Sequence, residues 1–299
     1  MAPNPSRRNF LKAAGSLPLA ASLASTGRAQ APPPGYRKAV KIGMVGEGKT
    51  LVEKFQLLKD LGFDGVELDS PNGFATEEVL AAKEATGLPI HGVVDSVHWA
   101  KPFSHPDPQV RKEGVQALET AIRDAKAYGA SSVLVVPAVV NKGIRYDQAW
   151  KRSLHEIGQV LPLAEELQIQ LAFENVWNHF LLSPMEAAQY VDAFSSSQVG
   201  FYFDVGNIVN YGWPEHWIHI LGKRILKVDV KEYSRKRRDQ EGLWKGFGVE
   251  LLEGDCDWPA VMRAFEAIEY RGWFTAEIRG GDRQRLTDIA TRMDRIFAS

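Results

Sequence analysis

Four acidic positions stand at or just after short apolar runs in the second half of the chain. Three are Phe173-Glu174, Phe203-Asp204 and Ala276-Glu277, and between them lies a run carrying Asp229, with Lys231 and Glu232 close behind. Carboxylates brought together repel one another and lose solvation, so a convergent set is costly unless a cation sits among them. An all-oxygen set suits a hard divalent ion, Mn²⁺ or Mg²⁺ first, with Co²⁺ and Zn²⁺ still open because water ligands leave no trace in a sequence. The same groups can act as general acid and base. One such acid alone is more often a helix cap or a loop residue; the weight lies in four from consecutive units.

What could bring them together is a repeating scaffold. From Val40 onward, short β-branched runs alternate with longer stretches of helical period, the pattern of βα units around a parallel sheet. Eight runs can be counted: Val40–Val45, Gly65–Leu68, Pro89–Val94, Ser132–Val136, Ile169–Phe173, Val199–Phe203, Ile225–Val230 and Trp273–Ala276. Eight closes a (β/α)₈ TIM barrel, an α/β fold expected here as a single domain over residues 39–299, with its active site at the C-terminal ends of the strands. Between the runs, Leu51, Val52, Phe55 and Leu58 form one helical stripe ended by Gly62, and Val115, Leu118, Ala121, Ile122 and Ala125 form another ending near Gly129. Ser183-Pro184-Met185-Glu186 reads as a helix start, with Ser as N-cap and Pro in the first turn. Gly43, Gly46 and Gly48 lack the spacing of a dinucleotide-binding loop.

The chain has 299 residues, a formal charge of −1 and one cysteine, Cys256. Near-neutral charge offers no field for nucleic acid, and a lone cysteine excludes an intrachain disulfide. The first thirty or so residues differ in kind. Ser6-Arg7-Arg8-Asn9-Phe10-Leu11-Lys12 precedes a mild apolar stretch and then Ala29-Gln30-Ala31, the pattern of a twin-arginine export signal over residues 1–31. Pro32-Pro33-Pro34 opens a linker over 32–38. The expectation is a periplasmic or otherwise exported enzyme with no stable membrane insertion once the signal is removed; the apolar stretch is too short to span a bilayer.

Beyond these features the mature chain resembles, over nearly its whole length, the xylose-isomerase-like barrel superfamily of sugar isomerases and epimerases. Within it the similarity is to the hexulose- and pentulose-phosphate 3-epimerase branch. The residues that carry the resemblance are Glu174-Asn175-Val176-Trp177-Asn178 with Phe180–Pro184, Tyr202–Asn207, Trp217-Ile218 through Leu221–Ile225, and Glu253-Gly254-Asp255 with Asp257-Trp258. It implies a divalent metal held by Glu174, Asp204, Asp229 and Glu277, with Glu174 and Glu277 doubling as catalytic acid and base. Two positions depart from the family pattern: Asp229 stands where a histidine is usual, and Asn207 where a substrate-contacting histidine is frequent.

Further candidates for substrate binding are Asn207, His91, His98, Lys231, Arg235 and Trp177, each with a plainer alternative. A structural histidine is as good a reading of His91 or His98, and a solvated basic loop suits Arg235–Arg238 better than an anion site does. Trp177, Trp213, Trp217 and Trp244 form either a sugar-stacking wall or core packing. No glycine-rich phosphate loop stands out after strands seven and eight, Gly280-Gly281 being the nearest, so a non-phosphorylated small-molecule sugar is the expected substrate.

The chemistry implied is removal of a C–H proton beside a carbonyl, through an enediolate, in the manner of a ketose 3-epimerase. The alternatives are a metal-dependent lyase or dehydratase acting on a keto-sugar, keto-glycoside or inosose, and a non-catalytic sugar-binding protein. A metal-dependent nuclease is disfavoured by the scarcity of histidines at strand ends. A homo-oligomer is compatible with the sequence but not indicated by it.

Overall fold

Eight short strands pair in parallel in chain order: β1 (Arg37–Lys41), β2 (Gly65–Ser70), β3 (Ile90–Asp95), β4 (Ser132–Val135), β5 (Gln170–Glu174), β6 (Val199–Asp204), β7 (Ile225–Val230) and β8 (Trp273–Ala276). β8 pairs back with β1, from Arg37↔Trp273 to Val40↔Ala276, so the sheet closes into the expected (β/α)₈ barrel. The computed structural model describes residues 35–299, and the expected export signal with its cleavage site lies outside the described residues. Among the described residues ten α-helices follow in order: α1 (Leu51–Asp60), α2 (Thr76–Thr86), α3 (Pro108–Tyr128), α4 (Tyr146–Leu167), α5 (Pro184–Asp192), the single turn α6 (Gly206–Val209), α7 (Pro214–Leu221), α8 (Arg235–Glu241), α9 (Trp258–Ala267) and α10 (Arg283–Phe297). Among the described residues no helix is long and apolar enough to cross a membrane.

Local chemistry sets the helix ends. Thr50 and Glu53 close a reciprocal capping box at α1, and Ser183 caps α5 as expected, its hydroxyl accepting from the Glu186 amide at 3.2 Å. α3 stops at Gly129, whose φ of +71° an L-residue adopts only with strain. Three details differ from the sequence reading. Val52 is exposed, because the buried stripe of α1 runs through Leu51, Phe55, Leu57 and Leu58. The first run stops being a strand at Lys41; Ile42–Met44 coil into a tight turn that lets Val45 bridge Gly281 beyond β8. β1 also begins at Arg37, within the segment read as linker.

Alternation along the strands separates two environments. One face packs against the helices in a large apolar core. The barrel interior holds a small apolar layer of Leu134, Ala172 and Tyr202 with Val94 and Leu226 packed against it. Beside this layer runs a buried polar chain. Lys227 Nζ donates to His91 Nδ1 at 3.0 Å, His91 Nε2 lies 3.2 Å from Thr275 Oγ1, and Thr275 Oγ1 lies 2.8 Å from the Tyr202 hydroxyl. Residues two further along the same strands, Glu174, Asp204, Asp229 and Glu277, share the inward face at the mouth. Register shifts in the β2–β3 and β6–β7 ladders adjust that alignment.

Asp95, at the end of β3, is fully buried; its Oδ1 accepts from the Val97 amide at 3.2 Å and its Oδ2 has no partner. Burial pushes its carboxyl up to about 7, against the pull of the Val97 bond. A folded pKa above the unfolded value favours the protonated form in the native state. Stability from this group is therefore present below pH 4 and is lost as pH rises from there through 7. At about 1.4 kcal/mol per unit the effect is bounded by roughly 4 kcal/mol. Asp95→Asn should flatten the dependence of the melting temperature on pH between 5 and 8, with its gain over wild type largest at pH 8, as thermal melts across that range will measure.

Candidate active site

The inward-facing acids converge. One carboxylate oxygen from each of Glu174, Asp204, Asp229 and Glu277 lies within 4.8 Å of the others, with the first three residues buried and Glu277 half-buried. β6 and β5 are locked together where this happens. The Asn175 side chain receives the Asp204 amide at 2.8 Å and donates to the Asp204 carbonyl at 2.8 Å, clasping the Asp204 backbone. Asp204 Oδ1 then accepts from the Asn207 amide at 2.7 Å, and the Asn207 side chain donates to the Asn175 carbonyl at 2.9 Å. With one oxygen so held, Asp204 turns Oδ2 into the site. Gly206 is needed for the tight turn after it, because a Cβ there would lie 2.7 Å from the backbone of Lys231.

The other strand-seven acid goes elsewhere. Glu232 accepts the amides of Tyr233, Leu252 and Cys256 and the indole N–H of Trp258, all at 2.9–3.1 Å. It ties down the loop before α9, which explains the Glu253–Trp258 motif as scaffold: Asp257 caps α9 and Asp255 receives the Arg235 amide.

Two lysines stand among the four acids. Lys231 Nζ lies 2.8 Å from Asp204 and 2.5 Å from Glu277; Lys41 Nζ lies 3.0 Å from Glu67, 3.1 Å from Asp229 and 3.7 Å from Glu277. Burial, reinforced by Glu277, raises the Glu174 carboxyl far above the usual range. Burial likewise raises Asp229 strongly and Asp204 more mildly, with Lys41 and Lys231 respectively opposing it. For Glu277 burial acts in the same direction, but Lys41 and Lys231 override it and hold the group down at about 2. Even so, Glu174 Oε1, Asp204 Oδ2, both Asp229 oxygens and Glu277 Oε2 lack a properly directed hydrogen-bond donor. Buried carboxyl groups that converge on one point, with oxygens lacking directed donors and ionisation disfavoured by burial, fit a divalent cation, whose charge would favour their ionised form.

A cavity of about 720 Å³ opens above this cluster. Of the residues singled out from sequence, Glu174, Glu277, Asn207, His98, Lys231 and Trp177 line it. His98 accepts the Val136 amide on Nδ1 at 3.3 Å, which leaves the proton on Nε2; burial lowers its pKa to about 3, so it is a neutral donor. Trp177 donates to the Asn207 carbonyl at 2.8 Å and packs 4.8 Å from both Trp244 and Phe247. Trp244, Phe247 and Trp99 complete the wall, whereas Trp213 and Trp217 do not line the cavity.

His91 and Arg235 are not brought to the cavity. His91 is stacked on Trp273 at 4.5 Å inside the barrel, with burial and then Lys227 depressing its pKa well below the usual value. Arg235 donates to the carbonyls of Val209 and Gly212, and Arg237 and Arg238 are bound to acids and carbonyls, so the basic run is a structural helix. Sequence reasoning missed Lys41 and Glu67, whose Cα atoms are register partners. The signal was there: a charge inside an apolar strand run must face a partner when the strand is buried on both sides.

Fold and site together define a barrel enzyme scaffold with a carboxylate-rich centre at the C-terminal ends of its strands. Residues 55–296 match the family described as Xylose isomerase-like TIM barrel, and the chain belongs to that family. It is 26% identical over 250 residues to the L-ribulose-5-phosphate 3-epimerase UlaE of Escherichia coli O1:K1, covering 80% of this chain and 82% of that one. Among solved structures it is similar to the 3-keto-D-glucoside 4-epimerase YcjR of E. coli, with a TM-score of 0.72 at 18% identity over 87% of this chain and 99% of that one. It is also similar to the IolI protein with a bound zinc atom, with a TM-score of 0.72 at 14% identity over 87% and 98%. Its relatives are sugar epimerases, a kind of isomerase.

The Asn175 clasp carries a prediction. Asn175→Ala leaves the buried amide and carbonyl of Asp204 without partners, at about 1–3 kcal/mol for each unsatisfied group. Urea denaturation should show the midpoint falling with little change in slope; an unchanged midpoint would show that the clasp contributes nothing.

Proposed function

We propose that the protein is a divalent-metal-dependent sugar epimerase of the ketose 3-epimerase type, acting through an enediolate by proton transfer beside a carbonyl. The observation that carries this reading is the set of four convergent carboxylates, several of whose oxygens have no directed hydrogen-bond donor, with Glu174 and Glu277 opening onto a 720 Å³ cavity. Glu174, Asp204, Asp229 and Glu277 would hold the ion, Mn²⁺ or Mg²⁺ by the hardness of the donors. Held there, a divalent cation would supply stabilisation of the negative charge that develops beside the carbonyl.

The chain's own residues account for the rest. Glu174 and Glu277 come from β5 and the end of β8, so a planar intermediate between them has a carboxyl on each face. One removes the proton and the other returns one, which inverts the carbon. Lys231, bridging Asp204 and Glu277, fixes the Glu277 carboxylate. His98 offers a neutral N–H, and the Trp177–Trp244–Phe247 wall offers apolar ring faces to the C–H face of a sugar. Residues 1–31 support export through the twin-arginine pathway, which delivers the protein already folded.

The substrate proposed is not phosphorylated, although UlaE is named for a phosphosugar. Gly280-Gly281 forms no open anion cradle: the Gly281 amide donates to the Met44 carbonyl at 3.0 Å, and a Cβ on Gly280 would collide with that same oxygen. Lys41 and Lys231 are already paired with carboxylates.

Two measurements test the reading. Glu174→Gln and Glu277→Gln, each loaded with Mn²⁺, should lose on the order of 10²–10⁴-fold in epimerisation. One of the two should still exchange the substrate's α-proton with deuterated solvent from a single face; near-normal epimerisation by both variants refutes the two-carboxylate mechanism. For the substrate, kcat/KM should favour a free ketose over its phosphate. A phosphate preference that vanishes in Arg279→Ala would overturn the non-phosphorylated assignment, Arg279 being the one cavity-lining arginine or lysine without an ion pair among the described residues.

A further inference from the structure

Asp229 is an unusual group to bury without help. It is fully enclosed, neither carboxylate oxygen has a directed hydrogen-bond donor, and three further carboxylates converge on the same point. A fourth buried anion there is strongly unfavourable in a low-dielectric site. The group that answers it comes from the opposite side of the β1–β8 seam. Lys41, the last residue of β1, is nearly enclosed, with 14% of its side chain exposed, and brings Nζ to 3.1 Å from Asp229 Oδ2. It is anchored from the other side by Glu67, 3.0 Å away on the neighbouring strand.

We infer that Lys41, which also reaches Glu67 and Glu277, is the counter-ion of Asp229, and that the two act as a unit in which the ammonium offsets the Asp229 charge, so that Lys41 sets the site's affinity for its cation without binding it. This rests on the metal-site reading above. Removing the ammonium alone leaves the centre one unit more negative; a divalent ion should bind more tightly, and the ion-free protein should be less stable. Exchanging Asp229 for a neutral ligand while keeping Lys41 has the opposite effect on binding. Making both changes returns the formal charge to its starting value.

The test is a four-protein cycle of wild type, Lys41→Met, Asp229→His and the double variant. Mn²⁺ affinity is measured by titration calorimetry, and melting temperature on chelator-treated protein. For one unit charge at about 4 Å in a partly buried site, Mn²⁺ affinity should rise roughly ten- to a thousand-fold in Lys41→Met and fall by a similar factor in Asp229→His. The double variant should lie near wild type. In chelator-treated protein, Lys41→Met should lower the melting temperature, and should lower it much less in the Asp229→His background. Unchanged or weaker Mn²⁺ binding in Lys41→Met, or a melting loss independent of the residue at 229, overturns the pairing. If Lys41→Met does not fold, Lys41→Gln gives the same signs. A wild type that takes up no Mn²⁺ refutes the metal-site reading instead, while the chelator-treated melts still decide whether Lys41 and Asp229 act as a unit.

Discussion

Like charges held close together in a place water scarcely reaches govern this molecule. Four carboxylates within 4.8 Å of one another are an arrangement that folding by itself opposes, through both repulsion and lost solvation. The surrounding structure is arranged to withstand it. Lys41 and Lys231 interpose positive charge. Asn175 and Asn207 then hold Asp204 by main-chain bonds that do not depend on charge at all. Within the cluster Glu174 Oε1, Asp204 Oδ2, both Asp229 oxygens and Glu277 Oε2 still have no directed hydrogen-bond donor, and a cation would answer them.

A closed parallel barrel suits this task because it gives every strand the same polarity and a neighbour on both sides. Alternation then sends successive inward residues to fixed heights. At the mouth sit the acids; two residues deeper on the same strands sit Ala172, Tyr202, Lys227 and Thr275. The deeper layer is partly polar, and its chain from Lys227 through His91 and Thr275 to Tyr202 is satisfied internally. A buried network with its members paired holds one geometry, whereas a partly paired one would shift. His91 therefore belongs to the support of the site rather than to its surface.

The loops divide into those that line the cavity and those that brace it. Trp177 does both, since its indole N–H is fixed to the Asn207 carbonyl while its ring lies beside Trp244 and Phe247. The segment after β7 shows the bracing role most plainly. Glu232 gathers four donors, and Arg235 and Arg238 bind carbonyls, so a stretch whose basic run reads in sequence as a solvated loop is a framework for the short helical turn carrying Trp244 and Phe247.

Much was determined by the sequence alone, because its signals are local. Apolar runs separated by helical periods specify βα units, eight of them close a barrel, and the acids at the ends of runs five to eight must then rise on its C-terminal face. Ser183 and Gly129 mark helix ends through bonds to neighbours a few residues away, and the structure follows them. Tertiary structure alone decided matters that depend on residues distant in the chain. Whether Asp229 or Glu232 turns inward depends on donors from residues 252–258, which engage Glu232. Whether His91 or His98 reaches the cavity depends on the barrel register and on Trp273, far along the chain. The first run ends at Lys41 because the next residues pack on Gly281, and it is that closure between the first and last units that delivers the Lys41 ammonium to Asp229. A charge within an apolar strand announces that it has a partner; only the closed barrel shows which one, since electrostatic pairing acts over a few ångströms of space and not along the chain.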